Sequence, residues 1–310
     1  MTKTILTSFA AVALVAVAAC GEGREFMSLG TAGTGGIYYP LGGAIASRMS
    51  VADTARQYTA EVSGGSVENI NRLNAGDMDL AMVLGMSAYQ AYSGVGDFRQ
   101  PIDGLRSVAP LYSNLTHVLV LGNSPARSIA DFRGLRVSVG PPGSGTEQLS
   151  RHVLEAHGLT YDDVQARYLS FSESSAALQD RAIDAAIISV GYPAAAVLEA
   201  TTTANVRLLP FDQATLDQMI AEHPYYSVDV IPAGAYPGVD SALPTLGVLN
   251  WIVAMESLDG DVVRILLNIM QDDRVSLEQV HDMARQIDLS RLESPPIPLH
   301  PAAEQWRSER

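Results

Sequence analysis

Apolar positions along this chain fall into short clusters that change period, some compact and some spaced at three and four residues. The compact clusters predict strands at Met27–Thr31, Tyr58–Val62, Leu80–Leu84, His117–Leu121, Leu135–Val139, Arg167–Leu169, Ala185–Ser189, Val206–Leu209 and Leu246–Ala254. Helical spacing predicts helices at Pro40–Met49, Val67–Ala75, Thr146–Ala156, Glu173–Gln179, Ala194–Ala200, Asp212–Ala221 and Asp261–Gln271. A last amphipathic stretch, Ser276–Ile287, puts Leu277, Val280, Met283 and Ile287 on one face. The proline-rich tail from Ser294 reads as extended and laid on the surface. Alternating strands and helices are the signature of an α/β protein.

The pattern also repeats. Ser28-Leu29-Gly30-Thr31-Ala32-Gly33-Thr34-Gly35-Gly36 is echoed about 110 positions later by Ser138-Val139-Gly140-Pro141-Pro142-Gly143-Ser144-Gly145-Thr146. Each reads as strand, glycine-rich turn and helix start, which lets backbone N–H groups and a helix dipole face an anion. A second echo pairs the segment around Asp79 with that around Asp184, 105 positions on. Two similar halves, each with an anion-receptive turn, describe a clamshell that closes on a small acidic molecule.

The first residues stand apart. Lys3 precedes the apolar run Ile5–Ala16, and Val17-Ala18-Ala19-Cys20 has the form of a lipobox. Residues 1–19 are thus expected to be a lipoprotein signal peptide, 20–25 a tether, and Cys20 the lipidated, membrane-contacting residue. Ordinary cleavage after Ala18 is the competing reading, and both imply an exported, periplasmic or extracytoplasmic protein. The expected lobes are 26–112 with 252–310, and 113–251, joined through a connection around Pro110–Thr116.

Composition narrows the chemistry. Of 310 residues, 47% are hydrophobic and 17% charged, which is enough core for two domains. Cys20 is the sole cysteine and Lys3 the sole lysine, so beyond the leader neither thiolate nor Schiff-base chemistry is available. The formal charge of −14 becomes one unit more negative without Lys3, the wrong sign for nucleic acid. No cofactor or metal is expected. The second turn looks like a phosphate loop, but Thr146 stands where that mechanism needs lysine, and Glu147 follows it. Neither His-Glu-x-x-His nor Gly-x-Ser-x-Gly occurs. Asp77, Asp79 and Asp184 precede apolar strands, where a carboxylate usually closes a turn.

Four further segments carry candidate contacts. Gly33-Thr34-Gly35-Gly36-Ile37-Tyr38-Tyr39-Pro40 has more glycine and hydroxyl than a turn requires. Ser63-Gly64-Gly65-Ser66-Val67-Glu68-Asn69 offers Ser66 as an N-cap beside that turn. Ser189-Val190-Gly191-Tyr192-Pro193 ends a strand with a hydroxyl and an aromatic. Gly234-Ala235-Tyr236-Pro237-Gly238 is a turn by composition, with Tyr236 near the cleft as a weaker reading.

Together, the lipobox, Gly-Thr-Gly-Gly-Ile-Tyr-Tyr-Pro (33–40), Ser-Gly-Gly-Ser-Val-Glu-Asn-Ile (63–70), Asp-Phe-Arg-Gly-Leu-Arg-Val-Ser-Val-Gly (131–140) and Ile-Pro-Ala-Gly-Ala-Tyr-Pro-Gly (231–238) resemble the TAXI family, the solute receptors of one branch of TRAP transporters. The resemblance spans nearly the whole chain after the leader. It implies a two-lobed, type II-like periplasmic-binding-protein clamshell with a ligand cleft between lobes. It also implies a carboxylate solute such as glutamate, glutamine or a dicarboxylate, delivered to a TRAP-type membrane permease. Carried over by residue, Thr34, Gly35, Gly36 and Tyr38 bind from the first turn, and Ser66 and Val67 from the second loop. Ser144, Gly145 and Thr146 bind from the other lobe, and Ser189 and Tyr192 close the cleft. Ser63 departs from the family's usual threonine, and Gly85-Met86-Ser87 departs from its usual polar run. The expected function is a non-enzymatic receptor. The alternatives are an exported two-domain enzyme acting on a small carboxylate through Asp184, Asp79 or a histidine, and a sensor-linked binding protein.

Overall fold

The computed structural model describes residues 24–310, so the signal-peptide and Cys20 expectations lie outside the described residues. A first α/β unit contains β1 (Glu25–Gly30), α1 (Tyr38–Ala52), β2 (Arg56–Glu61), α2 (Ser66–Ala75), β3 (Leu80–Leu84) and α3 (Gly85–Ser93). The long β4 (Leu105–Leu121) leads into a second unit. It comprises β5 (Arg136–Ser138), α4 (Gly145–Ala156), β6 (Gln165–Arg167), α5 (Phe171–Gln179), β7 (Ala185–Val190), α6 (Ala195–Thr203), β8 (Val206–Leu209), α7 (Gln213–Glu222) and β9 (Tyr226–Ile231). Then β10 (Leu243–Met255) returns, followed by α8 (Gly260–Asp272), α9 (Arg274–Glu278) and α10 (Pro301–Ser308).

The sequence echo is a structural repeat. In both units a β-α-β-α-β path gives parallel strands with the first strand in the middle, in the orders β2-β1-β3 and β6-β5-β7. The antiparallel pair β4 and β10 runs through both sets. Near its C-terminal end β10 pairs with β3, and at its other end with β9, while β4 continues past it to β7 and β8. Residues 110–116 are therefore the middle of a strand, and β4 passes along them from the first set of strands to the second. They read as a linker because Pro110, Ser113 and Asn114 interrupt the apolar pattern. The β4–β10 register slips where Ser113 faces Leu249 but Pro110 faces Trp251, so Leu111 and Tyr112 together stand opposite Asn250. A proline that cannot donate to the ladder fits such a bulge.

Helices α8 and α9 pack on α1, and α10 packs on α8. Six side chains of α8, from Val262 to Met270, are buried, each worth about 1.5–3 kcal/mol when fully removed from water. The expected single amphipathic stretch at 276–287 is broken. α9 stops at Glu278 and a 3-10 turn covers Asp282–Gln286, leaving Val280 exposed while Leu277, Met283 and Ile287 are buried. The tail also differs from expectation. It is extended only to Leu299, which bridges to Ser107, and Pro301 then opens α10, whose Trp306 is buried. Proline at the first helical position costs no hydrogen bond.

Candidate functional site

A cavity of about 240 Å³ lies between the two units. Its walls are the first glycine turn, the start of α2, the end of β3, the middle of β4, the second glycine turn with the start of α4, the start of α5 and the end of β7. Nine of the eleven residues singled out from the sequence line it: Thr34, Gly35, Gly36, Tyr38, Ser66, Ser144, Gly145, Thr146 and Ser189. Val67 and Tyr192 are not in the wall. The Val67 N–H, expected to face a ligand, donates to the carbonyl of Gly143 at 3.0 Å, as does that of Glu68. The first turn of α2 is thus capped by a carbonyl from the opposite unit.

Several hydroxyls do local work. Ser144 caps α4 by accepting from the Glu147 N–H (3.0 Å) and donates to the Pro141 carbonyl (2.7 Å). Ser66 does not cap α2. Gly65 occupies that position, and the Ser66 hydroxyl accepts from the Leu84 N–H at 3.0 Å, tying the helix to β3. Tyr38 donates to Asn250 Oδ1 at 2.5 Å, and burial pushes its phenol well above the ordinary range. Asn250 in turn donates to the Tyr112 carbonyl (2.7 Å) and to Asn114 Oδ1 (2.8 Å), and Asn114 donates to the Ser189 carbonyl (2.9 Å). This buried chain of amides holds the wall where the two units meet.

The units touch closely around the cavity. A Cβ added to Gly35 would come 2.5 Å from Ser172 Oγ, and one added to Gly145 would come 2.7 Å from Leu84 Cδ1 and 2.8 Å from Ser66 Oγ. Each glycine turn therefore has one position where only hydrogen leaves room for the facing unit. Ser87 of α3 donates to Gln148 of α4 at 2.6 Å, and Gln148 donates to Gln90 at 2.9 Å. Gly85, Met86 and Ser87, where the TAXI family usually has polar residues, open α3, and none of them lines the cavity.

The wall is neutral. Among the described residues, no Lys, Arg, His, Asp or Glu side chain lines it. Its donors are hydroxyls, Asn114 and the backbone N–H groups of two turns. Ile37, Val62, Leu84, Phe171 and Val190 add apolar surface. The groups imagined as catalytic bases sit elsewhere. Asp79 accepts from the Ser28 N–H (2.7 Å) and hydroxyl (3.0 Å). Asp184 accepts from the Arg136 N–H (2.9 Å) and guanidinium (2.8 Å), which holds its carboxyl below the usual carboxylate range. The Tyr236 hydroxyl lies 3.1 Å from His117 Nε2 and is buried away from the cavity wall.

Sequence reading missed the α5 start, Ser170-Phe171-Ser172, and also Tyr112 and Asn114. The first is the second unit's counterpart of the Ser66 loop, so the echo extended to it was the available signal. Tyr112 and Asn114 lay in the supposed linker.

The NMT1-like family matches residues 29–310. The putative aliphatic sulfonates-binding protein of Escherichia coli (strain K12) is 34% identical over 112 residues, covering 35% of this chain. The match spans only 33% of that relative's length. Among solved structures, PhnD1 from Prochlorococcus marinus (MIT 9301) in complex with methylphosphonate gives a TM-score of 0.57 at 14% identity over 92% of this chain and 96% of its own. A periplasmic transporter structure gives 0.55 at 14% identity over 92% of each chain. The substrate-binding protein of an amino acid ABC transporter gives 0.51 at 13% identity over 83% and 97%. The expected two-lobed clamshell is the observed fold. The resemblance to TAXI receptors is overturned by the family match, and the TRAP-type permease falls with it. Among the motifs that carried that resemblance, the turns at 33–36 and 143–146 bring one unit against the other, with Gly35 beside Ser172 and Gly145 beside Leu84. The relatives are binding proteins rather than enzymes, and the chain belongs to the NMT1-like family.

Proposed function

We propose that this chain is an extracytoplasmic solute-binding protein that closes over a small organic monoanion and presents it to a membrane permease. The observation that carries this reading is the neutral, hydroxyl- and amide-lined cavity between two glycine turns. With no arginine or lysine in the wall, the acidic head is held by dipoles, at the first turn of α4 where the Gly145 and Thr146 N–H groups and the Ser66 hydroxyl come together. Charge-assisted hydrogen bonds of this kind are shorter and stronger than neutral ones. With no carboxylate in the wall, an ammonium group has no partner and would be desolvated at a cost, which disfavours glutamate and other amino acids. A sulfonate keeps one charge and offers three acceptor oxygens, and a sulfonate is what the related Escherichia coli protein is named for. The division into lobes at 26–112 with 252–310, and 113–251, belongs to this proposal, with β4 and β10 as the crossing strands.

Thermal denaturation tests it. Ethanesulfonate at a hundred times its dissociation constant adds about 2.7 kcal/mol of stability, a rise of about 5 °C for a chain of this size. Taurine, which differs by an ammonium group, should give a smaller rise. A folded protein whose melting point answers to arginine but to no sulfonate or carboxylate would refute the reading.

A further inference from the structure

The two units meet at two junctions that border the cavity, and the junctions exchange under the structural repeat. At one, the Ser66 loop that follows β2 meets the second glycine turn, where a Cβ on Gly65 would lie 3.5 Å from Ser144 Cβ. At the other, the α5 start that follows β6 meets the first glycine turn. There a Cβ on Gly36 would lie 3.5 Å from Phe171 Cδ2 and Cε2, and 3.6 Å from Val190 Cγ2. The first junction carries the groups that receive the acidic head. The second carries carbon. Val67, which follows Ser66, is buried outside the cavity wall, whereas its counterpart Phe171, which follows Ser170, is half-buried and lines it. Ile37 extends the patch, since a Cβ on Gly191, next to Val190, would lie 2.7 Å from Ile37 Cδ1. The polar groups of the wall around this patch are committed or shut away. Tyr38 is bonded to Asn250, Asn250 to Asn114, and Asn114 to the Ser189 carbonyl. The Tyr112 and Ser189 hydroxyls are unpaired, but neither oxygen reaches the cavity surface. Ser170 accepts from the Glu173 N–H at 3.3 Å, and Thr34 and Ser172 are exposed to solvent, which places them at the mouth.

We propose that Phe171 determines specificity by receiving an apolar substituent of the solute, which is then a small anion bearing a short alkyl chain or a single aryl ring. This rests on the reading above, in which the head sits at the α4 start. A methylene taken out of water among Ile37, Phe171 and Val190 strengthens binding about fourfold. A hydroxyl in the same place gives up water and finds no free partner.

Calorimetry with methanesulfonate, propanesulfonate and 3-hydroxypropanesulfonate on the wild type, Phe171→Ala and Phe171→Leu tests it. Propanesulfonate carries two more methylenes than methanesulfonate and should bind the wild type about fifteenfold more tightly. The hydroxylated chain should bind about tenfold more weakly than the plain one. In Phe171→Ala the gain with chain length should shrink to under about fourfold, with methanesulfonate affinity within about twofold of wild type. Phe171→Leu should keep most of the gain, because it keeps apolar bulk. Equal binding of methanesulfonate and propanesulfonate to the wild type, a gain that survives Phe171→Ala, or a hydroxylated chain bound as tightly as the plain one would each overturn the assignment. So would an equal loss for both alkyl probes in Phe171→Ala, which is the mark of a residue that serves closure alone. If no sulfonate binds, acetate, butyrate and 4-hydroxybutyrate take their places. Silence from all six would bring down the anion reading and this inference together, whereas binding without a gain from chain length removes only the inference.

Discussion

The first and second α/β units follow the same path, and they use one carboxylate in the same way. Asp79 fastens the start of β3 to Ser28 of β1, and Asp184 fastens the start of β7 to Arg136 of β5. Their glycine turns then diverge. The first leads into α1 with no side-chain cap and buries Tyr38 in the amide network. The second is capped by Ser144 and lends the Gly143 carbonyl to α2 of the other unit. The repeated aspartates are scaffold, whereas the repeated turns line the cavity and differ in how each meets the facing unit.

Bulk added to the closing surfaces should have the largest effect. Gly35→Val and Gly145→Val place methyl groups where the facing unit already stands. Overpacking of this kind costs about 1–3 kcal/mol, so probe affinity should fall roughly thirtyfold in the middle of that range. The penalty belongs to closure, so unliganded melting points should change little. Scattering profiles of the two variants should stay expanded at saturating ethanesulfonate. Parallel losses of affinity and stability would show that these glycines serve the fold of their own turns.

The repeated aspartates should behave in the opposite way. Asp79→Asn and Asp184→Asn each weaken hydrogen bonds between strands, and their partial exposure limits the cost to about 1–2 kcal/mol. Urea midpoints should fall in both, with probe affinity within about twofold of wild type. An Asp184→Asn protein of normal stability that no longer binds would reverse the scaffold assignment.

The same contrast explains what was legible in the sequence. The β-α-β-α-β units announced themselves because β1, β3, β5 and β7 are short apolar clusters that run into a glycine, and nine of the proposed contacts line the cavity. β4 was read only from His117 onward, since Pro110, Ser113 and Asn114 look like a linker until β10 is seen beside them. A long-range pairing with a bulge leaves no local signature, so Tyr112 and Asn114 were invisible as wall residues. α3 was missed for a different reason. β3 passes into it with Leu84 as N-cap and no capping side chain, so no stop or start signal separates strand from helix. Val67 was assigned to a ligand because a free helix N-terminus looks the same whether an anion or the Gly143 carbonyl fills it.

The smallest expected effect separates the units by pH. Residues 24–116 contain no histidine, and in the C-terminal segment packed on them burial lowers His300, whereas β4 and α4 of the second region carry His117 and His152. Burial lowers both to about 4. Contact with His223, stacked at 4.6 Å, and Arg151 adds to the shift at His152, whose Nδ1 lies 2.8 Å from the Tyr226 hydroxyl. A histidine depressed in the folded state contributes stability that is complete above its unfolded value near 6.5 and is lost as pH falls toward about 4. The unfolded chain binds the extra proton across that window, so stability declines as acid is added. At pH 6 the loss is under about 1 kcal/mol per histidine. Hydrogen exchange from pH 7.5 to 5.5, corrected for intrinsic rates, should therefore loosen α4, β9 and β4 beyond His117 before β1, β2 and β3. The His152→Gln protein should show a shallower decline in urea midpoint over the same range. If both units loosen in step and the variant keeps the wild-type slope, the two histidines are not what makes the second region acid-sensitive, and the carboxylates that both units share would have to account for the decline.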